Sequence, residues 1–342
     1  MILDTASRFW YSCKRMLTHS RSATIRWFRH MVFGCLAGGL AGVPVVRGAA
    51  PDPAPAPARH AEATRESAPC QTPHFAVTHT LDDGAAAAMG DLLEGVRSRY
   101  ERVCRNAGFA AHMPSRPLKW QCFDRADAFE SYVQQEESAL PIDERAFYSS
   151  RSDTVVLLLS PRGTSAQGQG RGIEPSDVRR ISHEAAHQLA FSTGLQTRGV
   201  MYPFWISEGL AANLETPDLS EGGMGCDNPQ RRVRLVDAYR HGRLCPLEDF
   251  LILNRAAGDD EKRIDLYAQA WGAFAFLFNR DPAAFRRYLY LMAQRPHGRR
   301  PADALEREIA GSFGAMTSVR GDWDRFLADV SRANPDGKPP TE

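Results

Sequence analysis

His183-Glu184-Ala185-Ala186-His187 and, further on, Trp205-Ile206-Ser207-Glu208-Gly209-Leu210-Ala211 are the stretches on which the reading of this chain turns. On a helix, positions four apart project from one face about 40° apart, so His183 and His187 can address a single ion. Two imidazoles at that spacing suit zinc, and Glu184 lies beside them as a base for a water molecule. Glu208 follows His187 by 21 residues, room to finish one helix, cross a loop and start a second. Its carboxylate then supplies a third ligand. Three protein ligands leave a fourth position open, as a catalytic zinc site needs and a structural one does not. Gly209 removes a side chain beside Glu208, which lets the two ligand-bearing helices approach closely. The plainer reading of the five-residue motif is a surface helix with two satisfied histidines. A Glu-Gly pair opening an apolar helix at the right distance is an independent requirement that disfavours it.

The combination resembles the gluzincin zinc metallopeptidases of the peptidase MA clan. The nearest likeness is to a bacterial peptidase MA-like family known as a domain of unknown function. Its members show HEA-x-HQL, then P-x-W-x-SEGLA, then YAQ-x-W. Here these stand as His183 to Leu189, Pro203 to Ala211, and Tyr267-Ala268-Gln269-Ala270-Trp271. The likeness covers roughly residues 75 to 330 and is strongest across the two zinc helices. It implies an α+β fold: an N-terminal mixed sheet with an edge strand over the cleft, two zinc-binding helices and a helical C-terminal lobe. It further implies that Thr154 to Leu159 is that edge strand, although an interior strand fits VVLLL equally well by composition. In related gluzincins a Tyr or His from the helical lobe donates to the developing oxyanion. The matching position is Tyr267, whose alternative is a core aromatic on an apolar helix. No third histidine follows at short spacing, so the metzincin branch is disfavoured.

The rest of the chain sets bounds. At 342 residues and a formal net charge of +1, it has room for a sizeable core and no block of one sign, so nucleic acid is an unexpected partner. The scattered arginines read as a solvated surface. Residues 1–50 read as a signal peptide: a basic segment from Arg8 to Arg29, an apolar run from Met31 to Val46, then Gly48, Ala49 and Ala50. An N-terminal membrane anchor is the alternative, with the mature protein otherwise periplasmic or secreted. Residues 51–73 form a Pro/Ala-rich linker, 74–333 the metallopeptidase domain and 334–342 a disordered tail. Cys226 and Cys245 bracket one segment and are expected to be bonded in an oxidising compartment. Cys104 with Cys122 is a weaker pairing, against buried thiols.

Coarse periodicity places strands at Phe75–Thr80 and Leu118–Phe123, a hairpin from Ala146–Tyr148 and Thr154–Leu159 turning at Arg151-Ser152-Asp153, and helices at Ala85–Val103 and Ala126–Gln134. A glycine-rich loop spans Pro161 to Pro175, and the zinc helix runs from a Ser176 N-cap to Thr193, with Gly194 as its stop. The Glu208 helix reaches about Glu215, and a polar loop follows to Asn228. Glu215 reads as a solvated helix end, with a supporting role behind a ligand as the alternative; Trp205 reads as packing. Beyond Arg231 the chain is mostly helical.

Together these readings make the chain an exported zinc-dependent metallopeptidase, with one Zn²⁺ held by His183, His187 and Glu208 and with Glu184 as general base. A peptide or protein is the expected substrate. A zinc amidase on cell-wall material is one alternative; a non-catalytic envelope protein keeping the fold is another. The intact Glu184 speaks against the last, because a binding site has no use for that base. Oligomeric state is left open.

Overall fold

In the computed structural model, the residues described are 69–136, 145–160, 173–215, 224 and 228–333. The stretch read as a signal peptide, most of the stretch read as a linker, the stretch read as a tail, most of the glycine-rich loop, most of the loop after Glu215 and Cys226 lie outside them. Five strands form one mixed sheet: β1 Cys70–Gln71, β2 Phe75–His79, β3 Leu118–Phe123, β4 Ala146–Ser149 and β5 Thr154–Leu158. Their order across the sheet is β1-β2-β3-β5-β4, with β2, β3 and β5 parallel and β1 and β4 antiparallel at the edges. The sheet thus begins at Cys70, inside the stretch read as linker.

Alternation along the strands shows why both faces are covered. Leu118, Trp120, Cys122, Val155 and Leu157 point into the main core, beneath α1 (Asp83–Asn106) and α3 (Pro175–Ser192). Phe123, Phe147 and Val156 point the other way, into a smaller cluster with Phe129 and Val133 of α2 (Ala126–Glu136). An apolar run such as Val155-Val156-Leu157 is stable only with a layer on each side, the signature of an interior strand. This corrects the expected edge. Thr154–Leu158 is enclosed between β3 and β4, and the exposed edge is β4. The hairpin joining them turns where expected, with Asp153 at φ 57°.

Gln188 of α3 ties helix to sheet. It is fully buried, accepts from the Trp120 indole at 2.8 Å and donates to the Lys119 carbonyl at 3.1 Å and the Asp153 carbonyl at 3.3 Å. The α3 start differs by two residues from expectation: Glu174 occupies the N-cap and Pro175 the first turn, where a missing N–H costs nothing. The stop is as expected, with Gly194 at φ 80° just beyond the C-cap Thr193.

The remaining helices are α4 Phe204–Leu214, α5 Pro229–Arg240, α6 Leu247–Leu251, α7 Asp260–Arg280, α8 Pro282–Ala293, α9 Ala302–Phe313 and α10 Met316–Ala333. The α4 helix is apolar nearly all round, as a central helix must be; Ser207 and Glu208 alone along it escape full burial. Trp205 packs as expected, stacked on Tyr288 with its indole N–H donated to the Leu251 carbonyl at 3.0 Å. Among the described residues no helix is long and apolar enough to cross a membrane. No disulfide forms among the described residues: Cys104 and Cys122 are buried thiols, which corrects that pairing, and Cys245 is a thiol too, which corrects its expected bond to Cys226.

Candidate metal centre

Helix α3 runs beneath the sheet and ends against α4, which brings the two motifs to one point. His183 and His187 sit one turn apart on α3, and Glu208 is in the second turn of α4. Their ligand atoms form a small triangle. His183 Nε2 and His187 Nε2 are 3.1 Å apart, His183 Nε2 and Glu208 Oε2 3.2 Å, and His187 Nε2 and Glu208 Oε2 3.5 Å. Zinc bonds of about 2.0–2.1 Å at tetrahedral angles would set ligand atoms roughly 3.3 Å apart. The triangle fits that requirement, so the donor set and its spacing both suit the ion the motifs imply. Among the described residues this is the single His/Cys/Asp/Glu group able to hold a metal.

The second nitrogen of His183 decides its tautomer. Its Nδ1 lies 2.6 Å from Glu215 Oε1. A carboxylate there accepts the Nδ1 proton, which leaves the Nε2 lone pair for a cation. Glu215 is therefore no solvated helix end; its side chain is 8% exposed. Arg231, from the first turn of α5, donates to both its oxygens: Nε to Oε2 at 2.8 Å and a terminal nitrogen to Oε1 at 2.6 Å. Asn228 caps α5 through the Arg231 N–H and donates its amide to the Ala212 carbonyl, so the start of α5 is pinned to α4. The sequence reading missed Arg231 altogether, because its partner is 16 residues away across a loop. Two more arginines taken for surface charges, Arg234 and Arg243, pair with the buried Asp265.

Electrostatics follow from this geometry. Burial opposes charge on His183, but its hydrogen bonds to the Glu208 and Glu215 carboxylates outweigh it and raise its pKa well above the usual value. Burial likewise opposes ionisation of Glu208, yet His187 and His183 hold it well below the carboxylate range. Glu215 is held low against its burial, chiefly by the Arg231 charge. Glu184 goes the other way: burial raises it, and the pull of both histidines offsets that only in part. A carboxylate with a raised pKa is suited to taking up a proton. The Tyr148 main chain of β4 lies close enough to Glu184 to favour its charged form slightly, so the edge strand borders the site.

Tyr267, the position the resemblance singles out, lies on α7. From Asp265 to Phe278 every residue of α7 is buried except Tyr267. Its ring is 6.2 Å from the His183 ring and edge-on to Phe204 at 5.2 Å, and the Arg231 guanidinium carbon is 5.5 Å from its centre. Gly209 does permit a close approach, but to α7 and not between the two ligand-bearing helices as expected: a Cβ there would sit 2.6 Å from the Ala270 carbonyl oxygen.

Residues 177–297 match the model of a family described as "Protein of unknown function (DUF1570)". That span holds every residue of the site, from the histidines through Glu208, Glu215 and Arg231 to Tyr267. No curated protein matches the chain. The gluzincin likeness accordingly rests on the motifs and on the geometry above.

Proposed function

We propose that this chain is an exported zinc-dependent metallopeptidase. The observation that carries the reading is the triangle of His183, His187 and Glu208 donor atoms with the raised-pKa Glu184 beside it. Zinc, when bound, supplies a Lewis acid that makes water more acidic and polarises a carbonyl. Glu184 takes a proton from the attacking water and returns it to the leaving amine nitrogen as the C–N bond breaks. Tyr267, half-buried beside His183, would donate to the carbonyl oxygen as negative charge develops there.

The substrate pairs with the open edge of β4. Leu158 N donates to the Arg145 carbonyl, so by antiparallel alternation Ala146 and Tyr148 direct their main-chain groups away from β5. The Tyr148 main chain lies beside Glu184, so an extended peptide added there runs past the base. Export is proposed from the leader, with the protein acting in the periplasm or outside the cell.

Glu184→Gln separates metal binding from chemistry. It keeps size and hydrogen-bonding shape but cannot take the proton, so it should hold about one zinc per chain and lose hydrolysis at least ~10²-fold. His183→Ala, His187→Ala and Glu208→Ala should lose zinc. Tyr267→Phe should keep zinc and lose on the order of 10²-fold in rate. Zinc content is measured by elemental analysis beside digestion of a peptide library and of purified peptidoglycan. Loss of metal from Glu184→Gln, or full rate in Glu208→Ala, would refute the assignment. Cleavage of peptidoglycan alone would move the substrate to a cell-wall amide.

A further inference from the structure

The Glu215 carboxylate is saturated. Oε1 accepts from His183 Nδ1 and from Arg231, each at 2.6 Å, and Oε2 accepts from Arg231 Nε at 2.8 Å and from Asn228 at 3.4 Å. A paired guanidinium–carboxylate contact fixes the carboxylate plane as well as its position, which a single ammonium contact does not. With that plane fixed, Oε1 points along the imidazole Nδ1–H, and the ring has one orientation. The same guanidinium lies over the Tyr267 ring at 5.5 Å. One cation on α5 thus touches the support of a ligand on α3 and the aromatic wall on α7.

We propose that Arg231 is a positioning residue of the metal centre: its two hydrogen bonds to Glu215 orient the His183 imidazole, and its guanidinium holds the Tyr267 ring against it. The inference rests on the metal site of the reading above and not on its substrate. Groups that orient a metal-bound imidazole change metal affinity by about 10–100-fold when removed. Arg231 acts on the metal through Glu215, so the effects of the two side chains should not add.

The test uses the mature protein with Arg231→Met, Arg231→Lys, Glu215→Gln and the double variant Arg231→Met/Glu215→Gln. Zinc affinity is read by competition with a chromophoric chelator, and ligand geometry by the visible absorption of the Co²⁺-substituted protein. Arg234→Met is the control. Arg234 lies on the same helix, is similarly exposed and pairs with Asp265. It should lower thermal stability and leave zinc affinity unchanged. Arg231→Met is expected to weaken zinc about 10–100-fold and shift the Co²⁺ bands. The double variant should be no weaker than the weaker single variant. Arg231→Lys keeps charge and bulk but makes one bond, so it should regain only part of the loss, and it serves if the Met variant does not fold. Wild-type zinc affinity in Arg231→Lys, additive losses in the double variant, or an equal loss in Arg234→Met would each overturn the proposal. A wild-type protein that binds zinc but cuts nothing removes the peptidase reading and leaves this one standing. A wild-type protein that binds no zinc removes both.

Discussion

Replacing Gly209 with alanine tests whether close helix packing is what places Glu208. The added Cβ would lie 2.6 Å from the Ala270 carbonyl oxygen and 2.7 Å from Phe274 Cβ, both on α7. Carbon contacts relax at about 3.5–4.0 Å, so α4 and α7 must part by roughly 0.5–1 Å. The nearer atom is helix backbone and cannot swing aside. Overpacking of this kind costs about 1–3 kcal/mol, while alanine in a helix gains about 1 kcal/mol over glycine. Gly321 of α10 is the matched reference, because a Cβ there meets nothing within 4 Å. Gly321→Ala should show the gain alone. The difference between the two variants is then the packing term, about 1–3 kcal/mol. At about 2–4 °C per kcal/mol for a domain of this size, that separates their melting temperatures by roughly 2–12 °C. Because α4 moves as a unit, the Glu208 carboxylate also retreats from the two histidines. Metal sites tolerate only about 0.2 Å in ligand distance, so zinc affinity should fall in Gly209→Ala and hold in Gly321→Ala. Thermal melting of the metal-free proteins and chelator competition measure the two effects. If Gly209→Ala melts as high as Gly321→Ala and binds zinc like the wild type, the contact with α7 does not position the ligand.

Three further outcomes are expected. Metal-free His183 keeps its proton to a pH well above the ordinary 6.5, and a cation requires the neutral ring, so binding expels a proton below that raised pKa and zinc affinity should still climb between pH 7 and 8; an affinity already level above pH 6.5 in chelator competition contradicts this. Gln188→Leu removes the acceptor of the buried Trp120 indole and a donor to two carbonyls, a loss of about 1–3 kcal/mol for such a buried group, visible as a lower melting temperature; an unchanged melting curve would refute the tether. Burial pushes the Cys104 thiol up to about 12 and raises Cys122 too, so both should resist a disulfide reagent until the protein unfolds, and rapid labelling of either in the folded protein would contradict this.

What could be read from the sequence followed how locally each feature is determined. The donor set was legible because a helix period and one loop length suffice to bring His183, His187 and Glu208 together, and the hairpin because its turn residues are contiguous. The edge of the sheet was not. A run such as VVLLL says that both faces are covered, which favours an interior strand; the gluzincin likeness pointed the other way, and the helices on each side decide it. The short AFYS strand that forms the real edge carries little pattern of its own, and what marks it is the closeness of the Tyr148 main chain to Glu184, 36 residues on in the chain. Glu215 and Arg231 were hidden for a related reason. A carboxylate at a helix end and an arginine beyond a loop are each unremarkable by composition, and only the fold makes them the pair that orients His183. A motif of this kind therefore names the atoms that can hold a metal, but the orientation that gives those atoms a common focus is supplied by residues the motif does not contain. Two chains with the same two motifs can accordingly differ in metal affinity by the full 10–100-fold that such supporting groups command, and the residue at position 231 is where that difference should first be sought.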